Sequence, residues 1–287
     1  MLILDSTMAK AYSRCPAQYD LNYIQNLRKI DSQDDLSLRW GEAIHKGLEA
    51  FTGQSSQLQA MIDAFKGSFI ETIDDVNHKY YNSKNTATGI HTLTEFIPFY
   101  KNNFSHWDTL QVEETGDMMI GDDIKYLCKI DRVIKNRGNI YVVDFKTTSS
   151  RPSPTYFNRF KLDFQASGYT QWCKEKYGQC AGFIPIVMFV GYRSRKYKDE
   201  PVGFHVKFDY SIIDRTQEQL DWFNKDLRKI ADEINTNKRD GFFRKAPTAC
   251  EFFGCQYNDL CDQGYDECLK ESLYEVYDST QYLHKEA

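Results

Sequence analysis

Ile140-Tyr141-Val142-Val143-Asp144-Phe145-Lys146 sets four strand-favouring apolar residues ahead of a carboxylate and an ammonium two positions apart. In a strand, side chains alternate between faces, so Asp144 and Lys146 share one face while Phe145 takes the other. Just upstream, Lys129-Ile130-Asp131-Arg132-Val133 reads as a partner strand, and Gly138-Asn139 lies between the two like a hairpin turn. The pairing brings Asp131 beside Asp144. Both acids sit in apolar stretches, where an unpaired charge is costly, and such costs mark functional sites more often than surface ion pairs do. Two carboxylates on adjacent strands also suit a divalent cation of the kind that stabilises a phosphorane-like transition state and supplies hydroxide near neutral pH.

Outward from this pair, alternation continues over Ile124 to Ile134 and Gly203 to Phe208. Ile184 to Tyr192 is a nearly continuous apolar run, as in a buried central strand. Tyr156 to Tyr177 reads as a helix, giving a β-β-α-β order that builds a mixed sheet. Its Gln165 and Tyr169, four apart, share a helix face directed to the sheet edge with the acids. After Ser211 an amphipathic helix carries Leu220, Phe223, Leu227, Ile230 and Ile234.

Residues 1 to 120 look mainly helical. Trp40, Ile44, Leu48 and Phe51 recur at helical spacing, as do Leu58, Met61, Phe65, Phe69, Ile73 and Val76, and then Leu93, Phe96, Ile97 and Tyr100. The first of these helices contains His45 between Gly41 and Gly47, two glycines that predict a close approach of the backbone to a neighbour, substrate included.

The chain has 287 residues, 41% hydrophobic and 15% aromatic, the profile of a globular protein. Its net charge of −5 supplies no global attraction to a polyanion, so any nucleic-acid contact is local. Basic residues do cluster at Arg193, Arg195, Lys196 and Lys198, and Arg151, Arg159 and Lys161 follow the Asp144 strand. There is no Walker-type phosphate loop and no signal-like N-terminus. The longest apolar run, Phe183 to Val190, is too short for a bilayer, so the expectation is a soluble, cytoplasmic protein without a membrane partner. With no secretory signal, its eight cysteines point to metal rather than disulfides.

Taken in order, His45 in a Gly-x-x-x-His helix, Asp131 in Ile-Asp-Arg-Val, Asp144-Phe-Lys146-Thr147 and Gln165-x-x-x-Tyr169 resemble the RecB-like nucleases of the PD-(D/E)XK superfamily. The resemblance implies Mg²⁺ or Mn²⁺ held by His45, Asp131, Asp144 and the Phe145 carbonyl. It also implies that Lys146 orients or activates the attacking water, and that Gln165 and Tyr169 contact DNA or the site. Cys250-x4-Cys255-x5-Cys261, together with Cys15 in Ser13-Arg14-Cys15-Pro16, resembles the iron–sulfur staple of AddB-type and CRISPR-associated exonucleases, implying a [4Fe-4S] cluster. A structural Zn²⁺ is the alternative for four thiolates. Cys268 is the substitute should one of the four fail, while Cys173 and Cys180 are left to packing or free thiols.

The expected fold is α/β, a restriction-endonuclease-like mixed sheet flanked by helices. One domain is expected over residues 1–287, with a helical insertion at 53–120 and a cysteine segment at 241–265 tied back to Cys15. The expected activity is metal-dependent DNA hydrolysis, favouring single-stranded ends, in recombination, repair or CRISPR-type processing. The alternative is a non-cleaving iron–sulfur accessory protein that binds nucleic acid and works through a nuclease or integrase partner.

Overall fold

The computed structural model describes residues 1–30, 36–53, 55–195, 202–251 and 254–278. The strands are β1 (Leu2–Leu4), β2 (Leu27–Lys29), β3 (Asp108–Ile120), β4 (Ile124–Asn136), β5 (Asn139–Thr148), β6 (Gly182–Arg193), β7 (Gly203–Tyr210) and β8 (Tyr274–Val276). The longer helices are α1 (Ser6–Arg14), α2 (Leu36–Glu49), α3 (Leu58–Ser68), α4 (Thr86–Phe104), α5 (Phe164–Tyr177) and α6 (Gln217–Asp240). The chain divides into two compact units, one comprising Asp34–Gly116 with Cys128–Leu220, the other Met1–Gln33, Asp117–Leu127 and Asp221–Ala287.

In the larger unit the sheet runs β4-β5-β6-β7, antiparallel, parallel, antiparallel. β6 is buried without a break from Gly182 to Val190, as a strand covered on both faces must be. Val143, Phe145, Ile184, Ile186, Met188 and Val190 face one layer, where they pack with Trp40, Ile44 and Leu48 of α2, Phe65 of α3 and Phe96 of α4. α5 covers the opposite face, with the Tyr169 ring 6.2 Å from that of Phe183. This is the mixed α/β, restriction-endonuclease-like sheet flanked by helices that the sequence predicts.

Gly47 shows what its helix approaches. A Cβ there would meet Leu93 Cδ1 at 2.8 Å and the Met61 carbonyl at 3.0 Å, and one at Gly41 would meet Thr147 Oγ1 at 3.1 Å. The crowding is protein against protein rather than against substrate. Gly47→Ala is therefore expected to cost about 1–3 kcal/mol through overpacking, read as a lower denaturation midpoint. An unchanged midpoint would show that α3 and α4 yield without cost.

Several boundaries differ from those expected. The hairpin turn falls on Arg137-Gly138, one residue earlier than expected, with Asn136 opposite Asn139 and φ of 49° and 87° at the two turn positions. Positive φ at both is the tight-hairpin geometry that matches strand twist. Residues 108–120, expected as helix, form β3, which among the described residues pairs with β4 alone and exposes much of one face, so apolar alternation is faint there. α3 ends at Ser68, with Phe69 in extended conformation, leaving Ile73 and Val76 88% and 54% exposed. The helix expected over 156–177 is interrupted: a short helix at Pro154–Phe157 and a tight helical turn at Asn158–Phe160 precede the main helix, which begins at Phe164, where the Asp163 carboxylate accepts from the amides of Gln165 and Ala166.

In the smaller unit β1 pairs in parallel with Ile124–Tyr126. α6 lays Phe223 edge-on to Tyr126 at 5.4 Å, with Leu227, Ile230 and Ile234 buried along the same stripe. Residues 241–264 show no apolar periodicity in sequence, yet they contribute to a small core. Tyr257 and Leu260 join Leu21, Leu27 and Tyr274 in a small cluster beside the β2–β8 ribbon, and the Tyr257 hydroxyl donates to the Leu27 carbonyl at 2.7 Å. The partners come from distant sequence, which leaves no local periodicity. Of the basic run, Lys196 and Lys198 lie outside the described residues. Among the described residues no helix is long and apolar enough to cross a membrane.

Candidate active site

The ladder between β4 and β5 reaches Arg132 opposite Val143 and stops one residue short of the two aspartates. There the Asp131 side chain takes over, its Oδ2 accepting the Phe145 amide at 2.6 Å. His45 approaches from α2, with Nδ1 3.4 Å from the same oxygen and its ring 6.3 Å from that of Phe145. Phe145 itself points into the helical core, as alternation requires.

Asp144 is 2% exposed. Its Oδ1 accepts from Gln165 Nε2 at 2.8 Å and from Lys146 Nζ at 3.1 Å. Nζ lies still closer to Oδ2, at 2.8 Å, but off the hydrogen-bonding direction, so this buried oxygen has no hydrogen bond. Gln165 also donates to the Tyr169 hydroxyl at 3.1 Å, and that hydroxyl donates in turn to the Lys129 carbonyl. The structure thus brings together His45, Asp131, Asp144, Lys146, Gln165 and Tyr169, all in the larger unit.

Their electrostatics follow from burial and mutual charge. Burial raises the Asp144 carboxyl, and with the Asp131 charge it outweighs Lys146, taking the group to about 6. Burial also pushes Asp131 upward, but His45, Lys146 and the Phe145 amide prevail and hold it below the ordinary carboxylate value. Burial alone would lower His45 and Lys146; the facing carboxylates reverse this and leave both raised. Lys146 is accordingly an ammonium at neutral pH.

Arg132 is the residue that sequence reasoning left without a role. Its side chain is buried under the rings of Phe51, Tyr100 and Phe145, with the guanidinium carbon 5.4 to 5.8 Å from each. Nη2 donates to the carbonyls of Leu48, at 2.8 Å, and Phe51. It thereby ties the C-terminal end of the His45 helix to the strand bearing Asp131. An arginine next to an aspartate in an apolar strand was the available signal.

The four expected cluster cysteines all lie in the smaller unit and line one cavity of about 540 Å³ with Gln18, Leu21 and Lys245 among its walls. All four thiols are free. Burial raises the Cys255 thiol, a backbone amide opposes it, and the neighbouring charges of Cys261, Cys250 and Cys15 raise it further. Cys268 is exposed and does not line this cavity. Among the described residues no three His, Cys, Asp or Glu side chains stand close enough together to hold a single metal ion.

No curated protein matches the chain. Among solved structures it is similar to a protein described as "Putative exonuclease" from Eubacterium rectale, at 12% identity and a TM-score of 0.46 over 89% of this chain and 88% of that one. It is also similar to SSO0001, at 12% identity and a TM-score of 0.33 over 80% and 75% of the two chains. A third likeness is to LHK-Exo in complex with dAMP, at 11% identity and a TM-score of 0.27 over 71% and 97%. The family described as the PD-(D/E)XK nuclease superfamily matches residues 6–262, a span that contains every side chain of the site, and the chain therefore belongs to that superfamily.

Proposed function

We infer that the protein is a metal-dependent deoxyribonuclease acting as an exonuclease on DNA, with single-stranded ends favoured. Its setting would be the cytoplasm, in recombination, repair or CRISPR-type processing, alone or with a protein partner. Nucleases of this superfamily generally use divalent metal ions, and the imidazole and carboxylates of His45, Asp131 and Asp144 are donor types that such an ion takes, though they must draw closer together than they stand to share it. The observation that carries the reading is Asp144 Oδ2, a buried carboxylate oxygen with no hydrogen bond, on the same side chain that Lys146 contacts. Mg²⁺ or Mn²⁺ is assigned to His45, Asp131, Asp144 and the Phe145 carbonyl; when bound, it supplies charge neutralisation at the phosphate and a more acidic water.

The chain's own groups divide the remaining work. Lys146, kept charged by two aspartates, positions water and offsets negative charge developing on the phosphate rather than acting as a neutral base. Asp131, pinned by the Phe145 amide, keeps His45 oriented through Nδ1. The four cysteines, free and sharing one cavity, suit a [4Fe-4S] cluster in their soft-donor chemistry, with structural Zn²⁺ as the competing occupant.

Gln165 is assigned a positioning role through Asp144 rather than direct contact with DNA, and buried Tyr169 supports it. Gln165→Ala is expected to weaken Mn²⁺ binding by about 10–100-fold, measured by calorimetry. Unaltered Mn²⁺ affinity with a raised KM for DNA would return Gln165 to substrate contact. The function as a whole is tested with end-labelled single- and double-stranded DNA in Mg²⁺, Mn²⁺ or chelator: metal-dependent shortening from an end is expected, and intact DNA under every condition would overturn the reading.

A further inference from the structure

The carboxyl ends of β5 and β6 border a second feature of the larger unit. Ser149 follows β5 directly, and beside it Phe189 to Arg193 of β6, His205 of β7 and the segment Lys79 to Ser83 enclose a cavity of about 430 Å³. Two of its walls are aromatic rings left partly open, Tyr80 at 38% and Tyr192 at 46% exposure. Cations gather around Tyr80 and around Phe189, a third aromatic of the cavity. Lys79 Nζ lies 4.9 Å and Lys84 Nζ 5.3 Å from the Tyr80 ring centre, and Arg151 sits 5.8 Å from that of Phe189. Arg193, from the basic run noted in the sequence, lines the cavity as well, and among the described residues no acidic side chain does. In a chain of net charge −5, this is a local reversal of sign.

Partly exposed aromatic rings interleaved with lysine and arginine are the chemistry that holds single-stranded nucleic acid, by stacking bases and attracting phosphates without reading sequence. The position fits the nuclease reading on which this step rests. Ser149 lies five residues beyond Asp144 on the same strand run, roughly 16 Å at strand rise, the span of about five stacked nucleotides. We propose that this pocket is a binding subsite for the single-stranded DNA substrate, stacking its bases on Tyr80 and Tyr192 and holding its phosphates with Lys79 and Arg193, a few nucleotides from the scissile bond.

The test is fluorescence anisotropy of a labelled oligothymidylate with the full-length protein, divalent ions chelated so that the strand stays intact, over a series of salt concentrations. Tyr80→Ala and Tyr192→Ala are each expected to bind about tenfold more weakly with the salt dependence unchanged, whereas Tyr80→Phe binds as the wild type does. Lys79→Ala and Arg193→Ala are expected to lower the slope of log K against log salt by about 0.7 for each phosphate released. Wild-type protein that binds and cuts the strand while all four alanine variants bind equally tightly overturns the subsite and leaves the nuclease. Wild-type protein that neither binds nor cuts it removes both.

Discussion

Asp144→Asn is expected to reduce DNA cleavage by about 10²-fold or more while leaving the protein folded and at least as stable as the wild type. The loss follows from removing the carboxylate that carries the proposed metal site. The preserved stability follows from what the carboxylate costs. Its folded-state value, raised to about 6 by burial and the Asp131 charge, means that the native state holds this proton more tightly than the unfolded chain does. For this group, stability is therefore fully present below the unfolded carboxylate value and declines as pH rises toward 6. The asparagine variant lacks that decline, so in chelator its denaturation midpoint at pH 7 should equal or exceed that of the wild type. Lys146→Ala is expected to lose cleavage similarly, because the ammonium beside Asp144 is gone. Near-wild-type cleavage by either variant would disprove the assigned centre, and a large fall in stability of Asp144→Asn would show that the carboxylate serves the fold.

How much of this could be read from the chain depends on where each signal lies. Alternation in Ile140 to Lys146 fixed which face Phe145 and Asp144 take, because a strand has only two faces and one is packed under helices. The placement of Asp131 near Asp144 was legible for the same reason, although the ladder stops at Arg132 and Val143 and the turn was displaced by one residue to Arg137-Gly138. What stayed hidden depends on tertiary contacts. β3 is an edge strand with a half-exposed pattern and little apolar content to betray it. The buried guanidinium of Arg132 is explained only when the Leu48 and Phe51 carbonyls stand beside it. The small core around Tyr257 draws on residues from both ends of the sequence, a spacing that no window captures.

The same long-range logic makes the cysteines the second large effect. Cys15 lies between α1 and a short helical turn, whereas Cys250, Cys255 and Cys261 follow α6 near the other end of the sequence, yet all four line one cavity. A cluster bound by all four would close a very long loop in the unfolded chain and add ligand bonds to a segment whose apolar core is small. Protein purified without oxygen is expected to be brown and to contain about four irons per chain. Serine at Cys15, Cys250, Cys255 or Cys261 should bleach that colour and lower the melting temperature by roughly 3 °C or more, the shift that about 2 kcal/mol produces in a chain of this size. Cys268→Ser should change neither, since that thiol lies outside the cavity. Cleavage should fall only as far as the folded fraction does, because none of these four thiols is assigned to the chemical step. Colourless protein with one zinc per chain would replace the cluster by a structural zinc site, and full iron retained in any of the four serine variants would strike that cysteine from the ligand set. Either outcome leaves the centre at Asp144 untouched, because the two sets of residues occupy different units of the chain.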